Sequence, residues 1–175
     1  NFLHPNLLVA NLYPLIEKAL AKKHLLTLHA SGLAIDGHAL LFSGVSGSGK
    51  STVLAQLPKE SLVLGDDKIL IKIQNGKIMA IPSPLNDKVI VDDLPNTGVP
   101  VSGVVFIKKQ SPAGITKISP PEALPLILNQ LLTPPFNNDI RKMLLVVSKA
   151  LSQNTYHLSY TLGEDITSII KEITK

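Results

Sequence analysis

The sequence contains a glycine-rich stretch whose residue types and spacing suit phosphate binding. Residues 44–51, here called the glycine loop, read GVSGSGKS and satisfy the pattern G-x-x-x-x-G-K-[ST]. Glycines let such a loop wrap closely, so that successive backbone N–H groups point at phosphate oxygens. The pattern places Lys50 on the β- and γ-phosphates of a nucleotide and the Ser51 hydroxyl on magnesium. The residues predicted to bind ATP are Gly44, Val45, Ser46, Gly47, Ser48, Gly49, Lys50, Ser51 and Thr52.

Two adjacent acids follow the glycine loop along the chain. Asp66 and Asp67 come after the apolar run SLVL at 61–64 and a glycine. A carboxylate at the end of a strand beside the loop can reach bound magnesium directly or through water. The second carboxylate can accept a proton from an attacking hydroxyl. An Asp-Asp pair can equally end a strand and face solvent, so on the residues alone both interpretations stay open.

Turn signals indicate which elements must position these residues. An Asp-Gly pair at 36–37 lies between two apolar runs, and an Asn-Gly pair at 75–76 lies between two more. Each predicts a β-hairpin. The first hairpin is expected to pair the strand that carries His29 with the strand that leads into Gly44. The residues after the loop, KSTVLAQL, predict a helix, so the loop has the strand and helix that the motif requires.

The whole chain predicts a single α/β domain with a mixed sheet and antiparallel hairpins around the glycine loop. Its length of 175 residues suits one domain with its own core. The predicted parts are an N-terminal helical segment (1–24), a nucleotide-binding core (25–81), a substrate-side loop (82–100) and the remaining strands and helices (101–175). Pro14 interrupts or starts the apolar periodicity of the first segment, which predicts one or two short helices there.

Composition argues against several classes of partner. The net charge of +4 comes from scattered lysines, and aromatic residues make up only 4% of the chain, which disfavours nucleic-acid binding. No apolar run approaches the roughly 20 residues that span a bilayer, and the N-terminus lacks the layout of a secretory signal. The absence of cysteine fits a reducing compartment. We therefore expect a cytoplasmic protein that binds neither nucleic acid nor membrane.

Four of these features, in this order, resemble the HPr kinase/phosphorylase family over residues 25–81. They are the sequence His-Ala-Ser beginning at His29, the Asp-Gly turn, GVSGSGKST and GDD. The resemblance implies the fold which that family shares with phosphoenolpyruvate carboxykinase, with ATP and Mg²⁺ as cofactors. It implies Lys50 and Ser51 as phosphate and magnesium ligands, and the two aspartates as metal and general-base carboxylates, with Asp67 as the base. It also places His29 close to the reacting phosphate; without it, His29 reads as a strand histidine bonded to backbone.

The sequence also departs from that family. Thr52 stands where its members usually have glutamate, and the later signature E-[IV]-R-G-x-G is absent. The chain is more similar to smaller relatives, some of which phosphorylate serine hydroxyls in peptides or small molecules. We therefore expect an ATP-dependent kinase that transfers the γ-phosphate to a hydroxyl of a peptide, protein or small molecule. The alternatives are a non-catalytic or regulatory ATP-binding module and a simple NTPase. Members of the family form hexamers, so a homo-oligomer is among the expected partners.

Overall fold

A mixed β-sheet organises the chain in the computed structural model, which describes residues 5–45, 47–57, 61–83 and 98–173. The strands are β1 (Leu26–His29), β2 (Ser31–Ile35), β3 (His38–Ser43), β4 (Leu62–Gly65), β5 (Lys68–Gln74), β6 (Lys77–Pro82), β7 (Val99–Lys109), β8 (Gly114–Lys117) and β9 (Thr155–Tyr160). Within the described residues these nine strands form one sheet in the order β1-β5-β6-β7-β3-β2-β4, and β9 pairs with β7 and β8. The predicted α/β class with a mixed sheet is confirmed.

Five helices complete the described part of the chain. They are α1 (Pro5–Lys22), α2 (Lys50–Gln56), α3 (Pro120–Leu128), α4 (Asn138–Ser152) and α5 (Thr167–Lys171). Helix α1 continues through Pro14 as one helix, where the sequence left open a break. None of the helices in the described ranges is both long and apolar enough to span a bilayer. Ser46 of the glycine loop lies outside the described residues. So do residues 84–97, which make up most of the predicted substrate-side loop.

Both predicted hairpins are confirmed. The β2–β3 turn has positive φ at Asp36 (49°) and Gly37 (76°), and the β5–β6 turn has positive φ at Asn75 (51°) and Gly76 (74°). Two consecutive positive φ values give the turn twist that matches paired strands, and Asn-Gly and Asp-Gly are the pairs that adopt them most readily. The two local turn signals therefore set the register of these hairpins.

The predicted partner of the His29 strand is wrong. β1 ends at His29 and pairs antiparallel with β5, while β3 pairs with β2. In the β2–β3 register, which sets Ala34 opposite Ala39, the residue opposite His29 would be Gly44, where the chain has left the sheet. β3 is thus too short to pair with both runs. One side-chain contact remains, because Ser43 Oγ donates to the His29 carbonyl oxygen at 2.9 Å.

Three parallel strands bring their carboxyl ends to one edge of the sheet. β7 pairs in parallel with β3 on one side and with β9 on the other. These strands end at Ser43, Lys109 and Tyr160. In open α/β sheets, ligands bind outside the carboxyl ends of the strands. The glycine loop leaves β3 at this edge.

Apolar side chains cover both faces of the sheet, as β3 illustrates. Successive side chains of a strand point to opposite faces. Ala39 and Leu41 belong to a buried cluster with residues of α3 and α4, whereas Leu40 and Phe42 belong to a second cluster with residues of α2 and α5. The sheet is therefore a central layer between two helical layers, which holds its carboxyl edge in place.

Candidate functional site

A cavity of about 450 Å³ lies at the carboxyl edge of the sheet beside the glycine loop. Residues 47–52 form one part of its wall, and His29, Asp66, Asp67 and Lys109 form the rest. This volume is within the range of small-molecule sites. The structure therefore brings together most of the residues that the sequence singled out, from three separate parts of the chain, and adds Lys109 to them.

Two predicted loop residues, Gly44 and Val45, do not line this cavity. Gly44 and Val45 line a different one, together with Phe106 and His157, and the Val45 side chain is exposed. Ser46 lies outside the described residues. Gly44 and Val45 thus belong to a cavity other than the one that holds the two acids.

The glycine loop has a backbone that demands glycine at Gly49. Its φ is 101°, in the left-handed region, and a Cβ there would lie 2.7 Å from the Tyr160 hydroxyl. The hydroxyl also lies 3.3 Å from the Gly49 carbonyl oxygen, to which it donates. Lys50 Nζ donates to the Gly44 carbonyl oxygen at 3.1 Å, across the base of the loop. The loop is therefore closed by its own lysine and supported from β9.

Asp67 lies at the centre of the charged groups of the cavity. Its Oδ1 is 3.2 Å from His29 Nε2, and its Oδ2 accepts a hydrogen bond from Lys68 Nζ at 2.6 Å. Burial works to raise the pKa of Asp67, but the hydrogen bond and charge of Lys68, with smaller contributions from His29 and Lys50, lower it below its usual value. The carboxylate is therefore ionised at neutral pH and held from two sides.

For Lys50, burial has the larger effect on the pKa and the neighbouring charge has the smaller one. Burial lowers the pKa of its ammonium group, and the negative charge of Asp67 offsets part of that effect. Removal from water disfavours the charged form of a lysine. An anion that enters the cavity would therefore meet the Lys50 ammonium group, which is already partly removed from water.

The two acids line the same cavity because the chain bends at 66–67, between β4 and β5. On a straight strand they would point to opposite sides. Two bonds hold the bend: Ser31 Oγ donates to the Asp66 carbonyl oxygen at 2.7 Å, and Ala30 N–H donates to that of Asp67 at 3.1 Å. The junction of β1 and β2 thus positions both carboxylates and His29 together.

Sequence reasoning missed Lys109 and Tyr160. Lys109 ends β7 and lines the cavity, and Tyr160 ends β9 and supports the loop. The available signal was the apolar run 104–107, which ends in two lysines. It was insufficient because no turn connects β3, β7 and β9, so their parallel pairing cannot be read from neighbouring residues.

The oxygen ligands available suit magnesium bound together with a nucleotide. The Ser51 hydroxyl and the carboxylates of Asp66 and Asp67 face one cavity, and hard oxygen ligands are those that Mg²⁺ prefers. Within the described ranges, no group of three or more His, Cys, Asp or Glu residues could hold a metal by itself. Mg²⁺ usually needs only one or two carboxylates when phosphates and water complete its shell, so the residues fit.

Comparisons with known proteins place the chain in a family. A family model described as "SynChlorMet cassette protein ScmC" matches residues 6–133. No curated protein matches the sequence. Among solved structures, the Hpr(Ser) kinase/phosphatase from Coxiella burnetii is similar to it at 16% identity and a TM-score of 0.46, covering 85% of this chain and 87% of that one. The model match spans more than half of the chain, including His29, the glycine loop and both acids, and the protein therefore belongs to the ScmC family.

Proposed function

We propose that this protein is an ATP-dependent kinase that transfers the γ-phosphate to a hydroxyl of a peptide, a protein or a small molecule. One observation carries the proposal: an ionised carboxylate, Asp67, faces the same cavity as Lys50 and Ser51 and is held there by His29 and Lys68. Phosphate binding needs only the glycine loop and its lysine. A second, oriented carboxylate in the same cavity is what transfer to a hydroxyl requires.

The glycine loop would bind the phosphates of the nucleotide. In the structure Lys50 Nζ donates a hydrogen bond to the Gly44 carbonyl oxygen. We expect it to exchange that bond for charge-assisted bonds to phosphate oxygens, which are stronger. Ser51 and Asp66 would hold Mg²⁺, which neutralises charge on the β- and γ-phosphates when bound. Lys109 adds a further positive charge at the cavity wall.

Asp67 would orient and deprotonate the acceptor. The acceptor oxygen forms a bond to the γ-phosphorus, the bond from that phosphorus to the bridging oxygen breaks, and ADP leaves. The hydroxyl proton passes to an Asp67 carboxylate oxygen. Because the pKa of Asp67 is lowered, it is a weak base, but phosphoryl transfer depends mainly on positioning and charge stabilisation. His29 and Lys68 supply the positioning by fixing one carboxylate oxygen each.

A second candidate is an ATP-binding module or a simple NTPase. The observation in its favour is that both oxygens of Asp67 already contact a partner, His29 or Lys68. That arrangement also suits a structural ion pair. In this case ATP would bind in the same cavity, and the phosphate would pass to water or not be transferred.

Matched asparagine variants separate these candidates. We expect Asp67→Asn to keep Mg-ATP binding and to lower transfer by about two to four orders of magnitude, because the amide cannot accept the proton. Asp66→Asn should instead weaken Mg-ATP binding as well as turnover. The measurements are calorimetric titration with Mg-ATP and a screen of serine peptides and small hydroxyl compounds with labelled ATP. If the wild type binds ATP but labels no acceptor, the module or NTPase candidate is favoured; full transfer by both variants would make the carboxylates structural.

A further inference from the structure

A second cavity adjoins the one that contains the acids. Its volume is about 310 Å³, and its walls are Gly49, Thr52, Lys109, Tyr160, Thr161 and Leu162. The first three of these residues also line the first cavity, beside the glycine loop. His29, Asp66 and Asp67 do not line the second cavity. The two cavities are therefore adjacent and meet at the end of the glycine loop and the start of α2.

Leu162 is an exposed apolar side chain held at this second cavity. It is 82% exposed. The turn that carries it is fixed by Glu164, whose carboxylate accepts hydrogen bonds from the Thr161 hydroxyl at 2.9 Å, the Ser111 hydroxyl at 2.9 Å and the Ala113 N–H at 3.1 Å. The Thr161 N–H donates to the same carboxylate. These bonds hold the backbone of the turn, so Leu162 is presented at the edge of the second cavity.

We infer that the second cavity binds the nucleobase of the nucleotide whose phosphates occupy the first; this rests on the proposed function. The reacting phosphate must lie beside Asp67 and His29, so the nucleoside leaves the loop on the side that these residues do not line. Gly49, Thr52 and Lys109 line both cavities, so the nucleoside can pass along them from the first cavity into the second. The acceptor hydroxyl cannot use this space, because Asp67, which would take its proton, does not line it.

The walls suit a flat base with apolar faces and a polar edge. Leu162 and the aliphatic stem of Lys109 offer apolar contact, and long cationic side chains commonly use their stems in this way. Thr52 offers its hydroxyl to the edge of the base. The cavity thus selects a nucleoside triphosphate over triphosphate alone, by contacts remote from the reacting phosphate.

The test compares Mg-ATP with Mg-tripolyphosphate, which carries the phosphates but no base. Calorimetry is run on the wild type, on Leu162→Ala and on a control, Leu145→Ala, whose side chain is also exposed but lies on α4 outside both cavities. We expect the wild type to bind ATP more tightly than tripolyphosphate. Leu162→Ala should weaken ATP binding on the order of five- to tenfold, because less apolar surface is buried against the base, and leave tripolyphosphate binding unchanged. Leu145→Ala should change neither.

The outcomes distinguish this inference from the proposed function. If the wild type binds both ligands with equal affinity, or if Leu162→Ala leaves ATP affinity at the wild-type value, the base subsite is wrong while the phosphate site stands. An equal loss of affinity for both ligands in Leu162→Ala also overturns it, because the residue would then act on the phosphates. If neither ligand binds the wild type, both the proposed function and the base subsite are wrong.

Discussion

Lys50 carries the charge that the proposed nucleotide site depends on most directly. Its ammonium group is partly desolvated and spans the base of the glycine loop, so Lys50→Ala removes a preorganised cation without touching the core. We expect Mg-ATP binding to weaken by on the order of 2 to 3 kcal/mol, the range for removing a charge-assisted hydrogen bond from a formed site. Calorimetry measures this. Lys142→Ala, an exposed lysine on α4, is the matched control. Equal affinities for the two variants would contradict phosphate binding by the loop.

Asp67 should make protein stability depend on acid pH. Its pKa is lowered in the folded protein, chiefly by Lys68 once the opposing effect of burial is overcome. A lowered pKa adds stability above the unfolded-state pKa, near 3.8, and this stability is lost as the pH falls through the folded-state pKa. The gap in unfolding free energy between wild type and Asp67→Asn should therefore shrink from pH 6 to pH 3. Urea unfolding at both pH values measures it, and a gap that stays constant or widens toward acid pH would contradict the assignment.

At the scale of elements, a buried polar contact joins α1 to the sheet. Glu17 of α1 is fully buried, and the Thr133 hydroxyl donates to its Oε2 at 2.9 Å. The same hydroxyl accepts from the Thr27 N–H of β1, again at 2.9 Å. One side chain therefore pairs with one oxygen of the helix carboxylate and with a strand amide, and it links α1 to β1.

Thr133→Val should destabilise the fold by about 1 to 3 kcal/mol, because it keeps the shape of the side chain and leaves two buried polar groups unpaired. Thr133→Ser keeps the hydroxyl and serves as the matched variant. Urea unfolding of both measures the difference. A valine variant as stable as the serine variant would show that the contact does not hold α1 in place.

The sequence predicted elements well where the signal was local. Asn-Gly and Asp-Gly turns place both hairpins, since these residues adopt the required positive φ values on their own. The predicted partner of the His29 strand was wrong, because the length of β3, and not the turn, decides how far the pairing extends. Lys109 was missed because parallel pairing joins strands that are distant in sequence, and no local pattern reports which strands become neighbours.

At the scale of the whole molecule, the site combines side chains from distant positions in the strand order. The glycine loop follows β3, towards the middle of the order, whereas His29 ends β1 at one end of it. The two apolar clusters on either face of the sheet stabilise this arrangement, and β3 contributes side chains to both. Substitutions in either cluster would thus shift the strands that position the site.

The bend at 66–67 has a geometric consequence for the whole molecule. Strand pairing leads from β5 through β6, β7, β3 and β2 to β4, and the bend joins β4 back to β5 along the chain. The two acids therefore stand where a circuit of strands closes. They cannot move far from the end of β3 unless backbone pairing opens somewhere in that circuit. A ligand that contacts both the acids and the glycine loop must accordingly fit a spacing that strand pairing sets before the ligand binds.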